Sequence, residues 1–172
     1  MLPTTPQLAA DNLRALKLTR DFNNSDPADP QARLALLREL LGSLGEGTEI
    51  RPPLYCDSGF QTHVGARTFI NLGVVLLDVG TIRIGDDVQV GPNVQFLTPT
   101  HPVEPKVRRA RWEAARSISV GDNVWLGGGV IVCPGVSIGA NTVVGAGAVV
   151  VRDLPANVVA VGNPARVIRH LG

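Results

Sequence analysis

One histidine in a proline-rich stretch is the first candidate for chemistry in this chain of 172 residues. His101 stands in the string TPTHPVEP (98–105), and a neutral imidazole is the usual group for taking a proton from a hydroxyl near neutral pH. Glu113 follows twelve residues later in the same stretch, available either to orient that imidazole or to bind a substrate hydroxyl. Asn71 and Asp78 interrupt the apolar string INLGVVLLD (70–78). Asparagine is disfavoured within a strand, so Asn71 either joins a ladder of stacked asparagines or serves a ligand. Near the end, NPARVIRHLG (163–172) reads as a short helix with Asn163 as its cap and Pro164 in its first turn. Arg166 and Arg169 then share one helical face, which suits a phosphate or plain solvent. His63 and His170 are scattered and lack the spacing of a metal site. No phosphate-cradling glycine motif of the nucleotide-binding kinds occurs.

What positions these residues is a beat of six. Aliphatic or aromatic residues recur at Ile84, Val90 and Phe96, then at Val120, Leu126, Val132, Ile138, Val144 and Val150. Glycine comes next at Gly121, Gly127, Gly139 and Gly145. An earlier set, Val64, Ile70 and Leu76, keeps the period but sits two residues out of register, the slip falling between Asp78 and Ile84. Neither a helix nor simple strand alternation has this period. It marks a parallel β-helix of hexapeptide repeats, three hexads to a triangular coil, whose neighbouring coils bury a continuous core and satisfy each other's backbone. The glycine after each aliphatic residue is expected to let the chain turn a corner.

Residues 98–117 break the beat with three prolines and five basic residues, and Phe96 and Val120 lie 24 apart, so the prism resumes in phase after a protruding loop. Loops of that length without structure of their own are uncommon and often functional. Before the repeats, residues 11–22 predict a helix with Leu13, Leu16, Leu18 and Phe22 on one face. A second helix opens with Asp29 as cap and Pro30 at its first position. It carries Leu34, Leu37, Leu40 and Leu41 inward until Gly42 ends it. The expected organisation is therefore a helical segment (1–48), a β-helix (49–162) with its loop at 98–117, and a C-terminal helix (163–172), all one structural unit.

Composition closes off several classes. A net charge of +1 argues against nucleic acid or an anionic membrane as partner. Cys56 and Cys133 are too few for a disulfide framework and read as small buried hydrophobes. No secretory leader or membrane-spanning stretch is read in the sequence, so a cytoplasmic location is expected.

The strings IRPPLYCDSG (50–59), FINLGVVLLD (69–78), IRIGDDVQVGPNVQFLTPTHPVEP (82–105) and the run from ISVGDNVWLGGGV to GNPARVIR (118–169) resemble the sugar O-acetyltransferases of the hexapeptide acyltransferase family. Maltose, galactoside and nodulation acetyltransferases typify that family. The hexads are common to many acyltransferases, whereas THP, NVWLGGGV, PGVSIG and GNPARVIR together are far more specific. The resemblance implies a left-handed β-helix and transfer of acetyl from acetyl-CoA to a hydroxyl of a small-molecule acceptor, without a metal. It makes His101 the catalytic base and Asn71 a reaction-centre residue. It places Asp57 and Glu113 on the acceptor side, and Asp78, out of place in its apolar string, is read with them as substrate-binding. Trp125, Gly128, Ala146, Val151, Arg152, Arg166 and Arg169 would line the acetyl-CoA groove. It also implies a homotrimer with active sites between subunits. Asn12 stands where family members often carry an arginine that meets the sugar. Rival readings are an acetyltransferase for a non-sugar or xenobiotic alcohol, a non-catalytic trimer, and a hydratase of the carbonic anhydrase type needing three convergent histidines.

Overall fold

The computed structural model describes residues 6–172. The first five residues, which begin both the expected helical segment and the stretch read for a leader, lie outside the described residues. Helix α1 (Pro6–Asn23) and helix α2 (Pro30–Leu40) come first. Asp29 caps α2 by accepting from the Ala32 amide, with Pro30 at the first position, as the sequence predicts. In α1 the buried stripe is Ala15, Leu18, Thr19 and Phe22, while Leu13 and Leu16 are more than half exposed. Leucine spacing alone misassigns the face, because the small Ala15 is fully buried where Leu13 and Leu16 are not.

Behind the helices the chain winds a left-handed parallel β-helix of about six turns. Its three sheets are stacks of short strands. The first holds Ser43–Leu44, Thr62–Val64, Ile82–Ile84, Ile118–Val120 and Ser137–Ile138. The second holds Glu49–Ile50, Phe69–Ile70, Gln89–Val90, Trp125–Leu126, Val143–Val144 and Val158–Val161. The third holds Leu54–Cys56, Val74–Leu77, Gln95–Leu97, Ile131–Val132 and Val149–Val150. Every hexad residue named above is at most 4% exposed. The residue two earlier points inward as well, as at Val88, Val94, Val124 and Val130, so each hexad supplies two core side chains. Where that second position is threonine, its hydroxyl is satisfied: Thr68 donates to the Gly85 carbonyl and Thr142 to the Pro155 carbonyl.

The three outward faces differ in chemistry. The first shows Ser43, His63, Arg83, Ser119 and Ser137 in one register row. The second shows Glu49, Phe69, Gln89, Trp125, Val143 and Val159. The third shows Tyr55, Val75, Gln95, Ile131 and Val149.

The glycines after the aliphatic residues do not turn the corner. At most corners that task falls to the residue three after the hexad residue, which adopts positive φ: Asp87, Asn93, Asn123, Gly129, Asn141 and Gly147 among them. Gly121 is needed for a different reason. A Cβ there would lie 2.7 Å from the Ala140 nitrogen of the next coil, so the corner backbones stack too closely for any side chain. Gly121→Ala is expected to lower unfolding free energy by about 1–3 kcal/mol through overpacking, read from urea denaturation midpoints with an unchanged m-value.

Two expectations fail at the prism's margins. The segment predicted as a C-terminal helix is a strand, Arg166–His170, antiparallel to Val158–Val161. The last coil leaves an open strand edge, and the edge's unpaired amides and carbonyls outweigh the local cap signal of Asn163 and Pro164. The loop at 98–117 is also not structureless. It is a hairpin pairing Pro99–Thr100 with Ala114–Ala115, with the short helix α3 (Pro105–Arg109) at its far end.

Candidate functional site

His101 and Glu113 belong to one hairpin. Thr100 pairs with Ala114 in an antiparallel register, and His101 and Glu113 are the residues that follow and precede that pair. The far end of the loop is closed by Arg108, whose Nη1 donates to the carbonyls of Pro102 and Val103 at 3.1 and 2.8 Å. His101 is exposed and Glu113 half-buried. The imidazole therefore stands open to a partner.

The hairpin leaves the prism at the corner between the third and first sheets, and the same corner carries Asp57 and Asp78 in the two coils before it. Asp57 is half-buried. Burial raises the pKa of its carboxyl, and the nearby charges of Asp78 and Glu113 add to the rise. Helix α1 crosses this corner, where Asn12 donates to the Asp57 carbonyl oxygen at 3.2 Å. Asp78 differs from expectation. It has no exposed surface, and its carboxylate accepts from the Asp57 and Ser58 amides and the Thr62 hydroxyl. A carboxylate so enclosed cannot contact an acceptor directly, and burial raises its pKa despite those bonds. The Cys56 thiol next to Asp57 is pushed up to about 11 by burial, so it is a packed thiol and not a nucleophile. Cys133 is raised for the same reason.

Asn71 lies at the other end of the third sheet, on the corner shared with the second. There a groove of about 500 Å³ runs over Asn71, Pro92, Trp125, Gly128, Gly145 and Ala146. Asn71 does not join a ladder. Its Oδ1 accepts from the Leu72 amide, and the asparagine ladder runs elsewhere, through Asn123, Asn141 and Asn157. Trp125 stands 56% exposed on the groove. Its register row continues through Val143 and Val159 to Arg169, three strand spacings or about 14 Å along the prism. A bulge in the last strand shifts the register between Val159 and Ala160, so that Arg169 pairs with Val159 and Arg166 with Val161. Val159 and Val161 share the outward face, flanked by the buried Val158 and Ala160, so both arginines project from that same face. The helix predicted for them is wrong, yet its consequence, two cations on one side, holds for a different geometric reason. Val151 and Arg152 are exposed at the corner that follows Val149–Val150.

The structure thus gathers the candidates into two clusters: His101, Glu113 and Asp57 at one corner, and Asn71, Trp125, Gly128 and Ala146 at another. Sequence reasoning missed Phe69 and Gln89 in the groove row. Both occupy the position just before a hexad aliphatic residue, as Trp125 does, and reading the repeats in register would have found them. A second cleft of about 620 Å³ between α2 and the first coil contains none of the candidates. The three histidines do not converge. His63 lies on the first sheet, His101 in the hairpin and His170 on the last strand. Among the described residues no group of three or more potential ligands is placed to hold a metal, and no helix is long and apolar enough to cross a membrane.

A β-helix of hexads with an open groove along one face and a histidine hairpin at a corner fits a hexapeptide-repeat acyltransferase. Residues 2–45 match the maltose acetyltransferase hexapeptide capping motif and residues 117–152 the bacterial transferase hexapeptide model. The galactoside O-acetyltransferase of Escherichia coli K12 is 38% identical over 164 residues, 95% of this chain and 81% of that protein. A maltose O-acetyltransferase from Clostridium difficile 630 superposes with a TM-score of 0.97 at 43% identity, covering 98% of this chain and 90% of that one. A hexapeptide-repeat acetyltransferase from Vibrio cholerae O1 biovar eltor, solved with acetyl coenzyme A, superposes at 0.94 with 39% identity, covering 98% and 91%. The chain belongs to this family of maltose- and galactoside-type hexapeptide acetyltransferases.

Proposed function

We propose that the protein transfers acetyl from acetyl-CoA to a hydroxyl of a sugar or sugar-like acceptor in a ternary complex, with His101 as general base. The observation that carries this reading is the continuous strip from Asn71 past Trp125 to Arg169 and Arg166. It offers a polar group for the thioester end, an exposed indole and apolar wall for the pantetheine arm, and two cations for the nucleotide phosphates. His101 accepts the acceptor's hydroxyl proton as the oxygen attacks the thioester carbonyl, and the protonated imidazole then gives that proton to the departing CoA sulfur. Glu113 orients the imidazole or binds the acceptor, and Asp57 accepts hydrogen bonds from acceptor hydroxyls. The exposed Trp112, Val79 and Phe60 lie in the hairpin and corner segments around these carboxylates, and rings beside carboxylates suit the mixed apolar and hydroxylated faces of a sugar.

The active form in this reading is a homotrimer. Within one chain His101 and Asn71 stand at opposite edges of the third sheet, whose strand Val74–Leu77 alone spans about 10 Å. A base needs hydrogen-bond reach. A threefold ring that sets the first face of one protomer beside the second face of the next brings the two corners together. The cytoplasmic reading rests on the two unpaired cysteines and on acetyl-CoA as co-substrate.

The test is thiol release from acetyl-CoA over a panel that includes glucose, maltose, methyl galactoside and simple non-sugar alcohols. Turnover confined to sugars supports the reading. Preference for a non-sugar alcohol moves the acceptor class, and no turnover with any of them sinks it. Arg166→Ala and Arg169→Ala are each expected to raise the acetyl-CoA KM about tenfold, the scale of a lost charge-assisted phosphate contact, with little change in the acceptor KM.

A further inference from the structure

The residues in excess of the repeat all fall at one corner. Leu44, Val64, Ile84, Val120 and Ile138 form one register column. The regular coil from Val120 to Ile138 takes 18 residues, those from Leu44 to Val64 and Val64 to Ile84 take 20, and that from Ile84 to Val120 takes 36. Each excess lies between the third and first sheets, as the Asp57 turn, the Asp78 turn and the His101 hairpin stacked in successive coils. Irregular backbone of this kind carries amides and carbonyls that the strand ladder cannot satisfy, and two buried side chains take them up. Asp78 Oδ1 accepts from the Asp57 and Ser58 amides at 3.1 and 2.8 Å, and its Oδ2 accepts from the Thr62 hydroxyl at 3.1 Å. One coil on, the Thr98 hydroxyl donates to the Leu77 carbonyl at 2.6 Å and accepts from the Gly80 amide at 2.8 Å. The Thr98 carbonyl takes the Arg116 amide at the base of the hairpin. A chain of hydrogen bonds therefore joins all three excursions.

We propose that the three stacked excursions are a single preassembled acceptor wall and that Asp78 is its positioning residue, holding Asp57 toward the acceptor without touching it. This rests on the acetyltransferase reading above. A wholly buried carboxylate with no cationic partner is costly for stability, and an apolar residue would fill the same space. What only a carboxylate does here is accept from two backbone amides and a hydroxyl at once, which fixes the direction of the Asp57 side chain. The groove for acetyl-CoA lies across the third sheet, so disturbing the wall changes acceptor use and spares the donor.

The experiment is steady-state kinetics of Asp78→Asn against the best acceptor among glucose, maltose and methyl galactoside, with folding checked by thermal melting. The amide keeps one accepting oxygen for the backbone but presents an NH₂ to Thr62. The acceptor KM is expected to rise roughly tenfold, the size of one weakened charge-assisted hydrogen bond, while the acetyl-CoA KM stays within about twofold. If Asp78→Asn does not fold, Thr62→Val removes the hydroxyl bond and leaves the charge, and the acceptor KM is expected to rise about threefold. An unchanged acceptor KM in a folded variant, or a parallel rise in the acetyl-CoA KM, overturns the positioning role and leaves the acetyltransferase reading intact. A wild-type protein that releases no thiol from acetyl-CoA with any of the sugars or non-sugar alcohols overturns both.

Discussion

His101→Ala is expected to lower the turnover of acetyl transfer by about 10²–10⁴-fold with the acetyl-CoA KM changed by less than about twofold. That loss corresponds to roughly 3–5 kcal/mol of transition-state stabilisation, the amount at stake when a hydroxyl must attack without a base. The side chain is exposed, and among the described residues its ring makes no hydrogen bond that would hold the fold. The hairpin is kept instead by the Thr100 and Arg108 bonds and by its backbone pairing. Stability should therefore be unaffected, and melting curves of the variant and wild type should coincide. In the proposed complex acetyl-CoA is held by the groove and the two arginines and not by the imidazole, which is why its affinity is expected to survive. A variant that keeps most of its turnover rules out the base assignment. One that loses acetyl-CoA binding with its activity shows that the imidazole holds the donor and not the proton.

How far the sequence discloses such a site depends on whether a residue's role follows from its place in the repeat. Val90 and Leu126 are inward because the six-residue beat makes them so, and the beat also carries the phase across the hairpin from Phe96 to Val120. Roles that depend on contact between coils are invisible to it. Gly121 reads as a flexible corner residue, yet it is small because Ala140 of the next coil presses on it. Asp78 reads as a polar intruder in an apolar strand and hence as a ligand, but it faces the Asp57 turn twenty residues earlier. No local signal marks that partner. The final strand fails for the same reason in reverse. Asn163, Pro164 and the spacing of Arg166 and Arg169 are helix signals, and the open edge of Val158–Val161 overrides them. The histidine stands out because it lies where the repeat is interrupted, whereas Trp125 is singled out only by the family resemblance.

Mixing two inactive variants should restore activity if catalysis is shared between neighbours. His101→Ala and Asn71→Ala are each expected to retain about 1% of wild-type turnover or less. In a ring where His101 of one protomer serves the groove of the next, a site assembled from both variants is intact whenever the histidine side comes from the Asn71→Ala chain and the groove side from the His101→Ala chain. A closed ring that mixes the two chains has one such junction among its three, so roughly one site in three is whole and activity should recover to about a third of wild type. The measurement is made on trimers formed by co-expression or by joint refolding, purified through different tags on the two chains so that only mixed assemblies are assayed. If His101 and Asn71 instead served one site within a chain, every site in a mixed trimer would lack one of them and no recovery could occur. The two corners lie across the width of a sheet in this chain, with His101 on a hairpin that projects away from the prism, and that separation is what makes recovery the expected result.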